Sequence, residues 1–349
     1  MSAEVDIRVE GRAGRITVAR PTALNAITHD IVRAVDATLT SWAEDDRVAL
    51  VVIDAAGDRA FCAGGDLVEI YEAGRRGDAG PARAFWRDEY RMNARLFNFP
   101  KPVAAFLQGF TMGGGVGLGC HGSHRIVGAG SRIAMPEVSI GLVPDVGGSL
   151  LLARAPGRLG EYLGATATRM GPGDAIHAGF ADYYLPEEGW AALKAELVET
   201  GDWAAVDRAA EAPPESPLAA QAGEIDRHFG GETLGDILRA LRAEGGAFAE
   251  QTLERMERNA PLAMACAVEM VHRMRGPAAT IERALGLEYR YTYRAIGQGD
   301  FVEGIRAQII DKDRAPRWAH RLDGVPLHEV SAMLMPLGAD ALDLGEETS

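Results

Sequence analysis

Apolar positions alternate with polar ones in Gly14-Arg15-Ile16-Thr17-Val18-Ala19-Arg20, the period of a strand with one buried face. Pro21-Thr22-Ala23 then breaks the pattern as a turn does. Leu24, Ile27, Ile31, Val35, Leu39 and Trp42 follow at spacings of three and four, which predicts an amphipathic helix. The continuous apolar run from Val48 to Ile53 predicts a buried strand, and Lys101 to Phe110 another. Between them, Ala82 to Phe97 reads as a helix carrying Phe85, Trp86, Tyr90 and Leu96. Strands alternating with helices predict an α/β fold. A third crossover starts at Gly113, with further strands near Arg125 to Val127, Arg132 to Met135 and Ala181 to Leu185.

After Pro186 the pattern changes to Ala-rich, charged and helical in period, which divides the chain into a core over 1–186 and a helical region over 187–349. An irregular stretch, AEAPPESPLAAQ at 210–221, is the candidate linker. Several helices are predicted from Thr233 to Gly299, with Pro261 and Pro277 in first helical turns. The last residues, ALDLGEETS, are expected to fray. No internal repeat is visible.

Composition adds exclusions. The net charge of −14 repels a phosphate-rich polymer, and no Lys/Arg run compensates, so nucleic acid is not expected as a partner. Cys62, Cys120 and Cys266 are odd in number, widely spaced and without a CxxC pair, which points to a reducing compartment. The N-terminal stretch lacks an apolar signal region and no segment has the apolar length of a membrane span, so no membrane association is expected and the cytoplasm is the default.

Two glycine-rich turns follow strands: Phe61-Cys62-Ala63-Gly64-Gly65-Asp66 and Thr111-Met112-Gly113-Gly114-Gly115-Val116-Gly117. A strand entering a helix through glycines leaves backbone N–H groups uncapped, and two such turns facing each other make an oxyanion hole for a reacting thioester. Tight turning and close packing explain most single glycine clusters. Gly117-Leu118-Gly119-Cys120-His121-Gly122 also satisfies GxGxxG, with Glu137 twenty residues beyond Gly117. These glycines fall inside the helix, away from the N-terminus where a pyrophosphate binds, so the match is discounted. Glu137, in Ala134-Met135-Pro136-Glu137, and Asp145, in Pro144-Asp145-Val146-Gly147-Gly148, each follow a proline within apolar sequence. A carboxylate there is either desolvated for acid/base work or held structurally by N–H groups, and the two glycine turns upstream favour the first. His121 and His124 form HxxH without a third ligand, so no metal is expected. Cys62 and Cys120 read as inert core residues, and Asp66 as a helix cap.

FCAGGD, TMGGGVGLGCHG, AMPEVSIGLVPDVGG and DFVEGIRAQIIDKDRAPRW, in this order between about Gly14 and Trp318, resemble the 3-hydroxyisobutyryl-CoA hydrolases of the crotonase superfamily. The resemblance implies an α/β, crotonase-like ββα spiral core with a helical C-terminal region. It implies Ala63 and Gly114 as oxyanion donors and Glu137 and Asp145 as catalytic carboxylates. It further implies Glu89 against the substrate's acyl portion, with Gly64, Gly65, Asp66 and Gly113 lining the substrate. By weaker analogy it brings Phe301, Arg306 and Lys312 near the nucleotide of coenzyme A. Hydratases of this superfamily carry a Glu two residues after the glycine triplet, where this chain has Gly117, which disfavours two-Glu hydration and leaves thioester hydrolysis. The expected activity is hydrolysis of a short β-hydroxyacyl-CoA such as 3-hydroxyisobutyryl-CoA, without a bound cofactor. The acyl-CoA is the expected partner, and relatives of this kind form trimers or hexamers. The alternatives are an enoyl-CoA hydratase or isomerase, a dinucleotide-binding oxidoreductase using GLGCHG, and a CoA binder without catalysis.

Overall fold

The computed structural model describes residues 4–345, so the frayed end expected over 341–349 lies partly outside the described residues. The chain forms two compact units that interleave in sequence: Met1–Asp66, Arg91–Ala134 and Arg169–Ala219 in one, Leu67–Tyr90, Met135–Thr168 and Ala220–Ser349 in the other. A single cut near residue 186 does not separate them.

The first unit holds both sheets. Strands β1 (Val5–Glu10), β2 (Ala13–Val18), β3 (Leu50–Ala55), β5 (Val103–Phe106), β7 (His124–Val127) and β9 (Tyr183–Tyr184) form a six-stranded sheet in that order. Strands β4 (Ala60–Cys62), β6 (Phe110–Met112) and β8 (Arg132–Ala134) form a second, parallel one. Each pair β3/β4, β5/β6 and β7/β8 gives one strand to each sheet, the repeat of a ββα spiral. β1, which the apolar pattern had not singled out, pairs antiparallel to β2 at the sheet edge, and Ile16 on β2 lies beside Ile53 on β3.

The strand expected over Lys101 to Phe110 is two strands. Gly109 adopts φ 54° and lies so close to Arg59 that a Cβ would sit 2.2 Å from its carbonyl oxygen. Only glycine takes that conformation and that approach, so the chain leaves one sheet and enters the other there.

The helix expected from Leu24 begins later. A 3₁₀ turn at Pro21–Ala23 is followed by Leu24 and Asn25 in the left-handed region, φ 51° and 56°. The Asn25 side chain holds this turn, accepting from Arg20 N (2.9 Å) and donating to Ala60 O (2.8 Å) and Ala56 O (2.9 Å). Thr28 then caps α1 (His29–Ala43) by accepting from Ile31 N at 3.3 Å, and Ile31, Val35, Leu39 and Trp42 form its buried stripe. On the sheet, Leu50, Val52, Phe106 and Ile126 pack with Trp190, Leu193 and Leu197 of the helix Trp190–Thr200. Full burial of each such side chain stabilises by about 1.5–3 kcal/mol.

The second unit, apart from α2 (Val68–Gly74) and the first part of α3 (Gly80–Phe97), is built from α5 (Gly148–Arg154), the helix Leu159–Thr166 and the helices after residue 220, including Leu234–Glu244, Gly246–Met256, Pro261–Met274 and Ile281–Gln298. Pro261 occupies the first turn of its helix as expected. Pro277 does not, because Thr280 caps the following helix through Arg283 N (3.3 Å) and starts it at Ile281. Glu161 is fully buried in this unit and receives Arg275 (2.5 Å) and Arg158 (3.0 Å).

Candidate active site

The two glycine turns lie side by side in the first unit. β4 and β6 pair through Cys62 and Thr111, and the helix after β6, α4 (Gly114–Gly119), packs so closely that a Cβ on Gly115 would sit 2.2 Å from Cys62 O. Gly113 precedes α4 with φ 52° and ψ −120°, leaving Gly114 as the first helical residue. In the other turn, Ala63 N donates to Leu24 O (3.1 Å) and Asp66 N to Ile27 O (2.8 Å), while Gly64 O accepts from Ile27 N (2.9 Å). This is a parallel bridge between Ile27 and Gly65, and in such a bridge the central residue turns its own N–H to the opposite side. Ala63, expected as an oxyanion donor, therefore has its N–H engaged, and Gly65 is the residue of this turn that presents one. Among the described residues, neither Gly65 N nor Gly114 N has a hydrogen-bond acceptor.

The carboxylates gather in the second unit. Glu137 opens a 3₁₀ turn (Glu137–Ile140), Asp145 precedes α5, and Glu89 lies on α3, all three buried. Burial, then repulsion from Asp145, raises both Glu137 and Glu89 well above the usual carboxyl range. Burial also pushes Asp145 up to about 7, against the hydrogen bond that Tyr90 Oη donates to its Oδ2 at 2.7 Å. Thr292 Oγ1 lies 3.5 Å from the same hydroxyl. Glu89 Oε1 and Glu137 Oε2 are buried without a hydrogen-bond partner among the described residues. Two residues that the sequence reading did not single out complete the group: Tyr90, read only as a helix residue, and Glu288. Glu288, fully buried on the helix Ile281–Gln298, accepts from Gly147 N (2.8 Å) and Ser149 N (2.9 Å). Its position in the buried stripe Ile281, Leu285, Glu288, Thr292, Ala295 is the signal that marks it out.

Residues 13–334 match the enoyl-CoA hydratase/isomerase family. The chain belongs to this family. Within it, the chain is 35% identical over 326 residues to the 3-hydroxyisobutyryl-CoA hydrolase, mitochondrial, of Danio rerio, covering 90% of this chain and 85% of the relative. It is 34% identical over 336 residues to the protein of the same name in Homo sapiens, covering 90% and 84%. Among solved structures, an enoyl-CoA hydratase from Rhodobacter sphaeroides is 55% identical with a TM-score of 0.94, covering 98% of this chain and all of that one. A carnitinyl-CoA dehydratase from Mycobacterium thermoresistibile is 39% identical with a TM-score of 0.93, covering 99% and 100%. The curated relatives are mitochondrial by name, a compartment other than the cytoplasm expected from the N-terminus. Among the described residues no helix is long and apolar enough to cross a membrane.

Other residues weighed for the site take different roles in this family member. Asp66 is not a helix cap; it pairs with Arg20 at 2.9 Å. Gly117 is the fourth residue of α4, and a Cβ on Gly119 would meet Leu107 at 2.5 Å, so these glycines serve close packing. His121 lies edge-on to Phe97 and His124 stacks on Tyr183 beside Ser123, and no group of three metal-ligating side chains occurs among the described residues. Cys62, Cys120 and Cys266 are buried free thiols, and burial pushes Cys120 up to about 12. Phe301 is buried against Trp86 rather than presented to a nucleotide. Arg306 is neutralised by Glu303, Asp311 and Asp313, which leaves no free charge for a phosphate, whereas Lys312 is exposed with φ 57°.

Proposed function

We propose that this protein hydrolyses a short β-hydroxyacyl-CoA thioester, of the 3-hydroxyisobutyryl-CoA kind, to the free acid and coenzyme A. The observation that carries the reading is the buried carboxyl group around Glu137, together with Gly117 at the position where hydratases of the family carry a second Glu. The names of the curated relatives support the same reaction. In the proposed mechanism the N–H groups of Gly65 and Gly114 stabilise the oxygen that turns anionic as the thioester carbonyl is attacked, each contributing about 10²–10³-fold. Ionised Glu137 supplies the nucleophile or the base that activates water, and its desolvated oxygen is the more basic for being buried. Asp145, steadied by Tyr90, orients the water or the substrate hydroxyl, and Glu89 contacts the acyl group.

The 55% identical enoyl-CoA hydratase of Rhodobacter sphaeroides favours a second reading, addition of water to a double bond. One experiment separates them: the protein is incubated with 3-hydroxyisobutyryl-CoA and with crotonyl-CoA while free thiol and double-bond absorbance are followed. Hydrolysis predicts thiol release from the first, slow hydration of the second, and a loss of about 10²–10⁴-fold in Glu137→Gln. Rapid hydration without thiol release overturns the reading.

A further inference from the structure

Asp145 runs into a turn whose next two residues, Val146 (φ 53°) and Gly147 (φ 82°), are both left-handed. Glycine adopts this region freely, but a β-branched valine there is strained by about 1–3 kcal/mol and persists only where its surroundings hold it. The holder comes from more than a hundred residues away. Glu288 Oε2 accepts from Gly147 N (2.8 Å), and its Oε1 accepts from Ser149 N (2.9 Å) and Ser149 Oγ (2.5 Å). Glu288 and Ser149 are buried, so these bonds are shielded from competing water.

We propose that Glu288 is a positioning residue: it binds the Val146–Gly147 turn at Gly147 and again two residues on at Ser149, a clamp that fixes where the Asp145 carboxyl points. Three donors converge on one carboxylate, whereas an amide of the same shape turns a donor of its own toward one side. Glutamine at this position therefore sets N–H against N–H at Gly147 or at Ser149. The Tyr90 hydroxyl secures the far end of Asp145, so the carboxyl is held at both its backbone and its tip. Burial raises the Glu288 carboxyl to about 8, against the hydrogen bonds from Ser149 and Gly147, and its ionised form adds to the repulsion felt by Glu137. The inference rests on the reading of Asp145 as a site carboxyl.

The test uses the full-length protein with Glu288→Gln, Ser149→Ala and the double variant. Amide hydrogen exchange at Gly147 and Ser149 reads the clamp without any substrate, and kcat and KM are measured by whichever of thiol release or hydration the parent shows. Glu288→Gln is expected to lose exchange protection at both amides and about 10²-fold in kcat, with KM nearly unchanged, the signature of a misplaced group rather than of lost binding. Ser149→Ala, which removes a single donor, is expected to lose less, and the double variant no more than Glu288→Gln, because both act through one clamp. Unchanged exchange in Glu288→Gln overturns the clamp. Lost exchange with parental kcat overturns the positioning role. A parent that hydrates but releases no thiol defeats the hydrolase reading while leaving this comparison intact. Should Glu288→Gln fail to fold, Ser149→Ala carries the same two readouts, and parental values in both overturn the proposal.

Discussion

Gly115→Ala tests how closely the two glycine turns must approach. A Cβ at Gly115 meets Cys62 O at 2.2 Å and Cys62 C and Cβ at 3.0 Å, and the offending atoms include backbone that no rotamer change can move aside. Restoring an ordinary contact of 3.4 Å or more requires α4 and β4 to part by roughly 1.2 Å, in an interior packed too tightly to absorb it. Cys62 leads directly into the turn that presents Gly65, and Gly114 immediately precedes Gly115, so the displacement falls on both proposed donors at once. A misplacement of about 1 Å costs on the order of 10²-fold in rate. Overpacking of this kind destabilises by about 1–3 kcal/mol, which lowers the melting temperature by roughly 2–10 °C for units of this size. The assay pairs thermal melting with thiol release at saturating acyl-CoA, and the loss is expected in kcat. A variant that melts and turns over like the parent refutes the argument, since it shows that the approach read from Gly115 is not needed by the fold or by the reaction.

Asp145→Asn is expected to raise stability at alkaline pH. Burial raises the Asp145 carboxyl to about 7, whereas an unfolded Asp titrates near 3.9, so the folded state holds the proton more tightly and stability falls as pH rises from about 4 to 7. The variant should therefore be more stable than the parent at pH 8, by at most about 4 kcal/mol, with the difference closing below pH 4; scanning calorimetry showing no gain at pH 8 contradicts this. Arg275→Ala leaves fully buried Glu161 with Arg158 at 3.0 Å and His272 at 3.1 Å as its remaining partners. It is expected to cost about 2–4 kcal/mol in chemical denaturation, because removing one member of a buried pair strands the other. Against the desolvation of burial, hydrogen bonds from His272 and Arg275 lower Glu161 to about 2. Its contribution is accordingly present above about pH 4.5 and lost as pH falls through 2.

Much of this was legible in the linear chain because it depends on short-range pattern. The stripe Ile31, Val35, Leu39, Trp42 gives α1, and the alternation of strand and helix gives the fold class. Glu137 and Asp145 stand out because each charge interrupts apolar sequence after a proline. What escaped was set by pairing at a distance. Leu24 and Ile27 have helical spacing but lie in a loop, because the Asn25 side chain binds backbone more than thirty residues on. Glycines mark where an oxyanion hole can form, but which N–H is left open follows from the partner of the 62–66 segment, which engages Ala63 N and leaves Gly65 N without an acceptor among the described residues. Glu288 meets Gly147 across 141 residues, and a lone acid in a charged helix reads as solvated until the stripe through it is counted.

The Leu24–Ile27 loop carries a constraint on length rather than on composition. Leu24 O takes the Ala63 amide and Ile27 O takes the Asp66 amide, so two stretches of equal residue count run in step, and Gly65 faces outward only while they do. Inserting or deleting one residue between Asn25 and Ile27 slips the pairing by one peptide and turns the Gly65 N–H back toward the loop. Side chains such as Ala26 can therefore be exchanged during divergence or grafting far more readily than the number of residues can change, and a homologue with a different count here cannot present this amide in the same way.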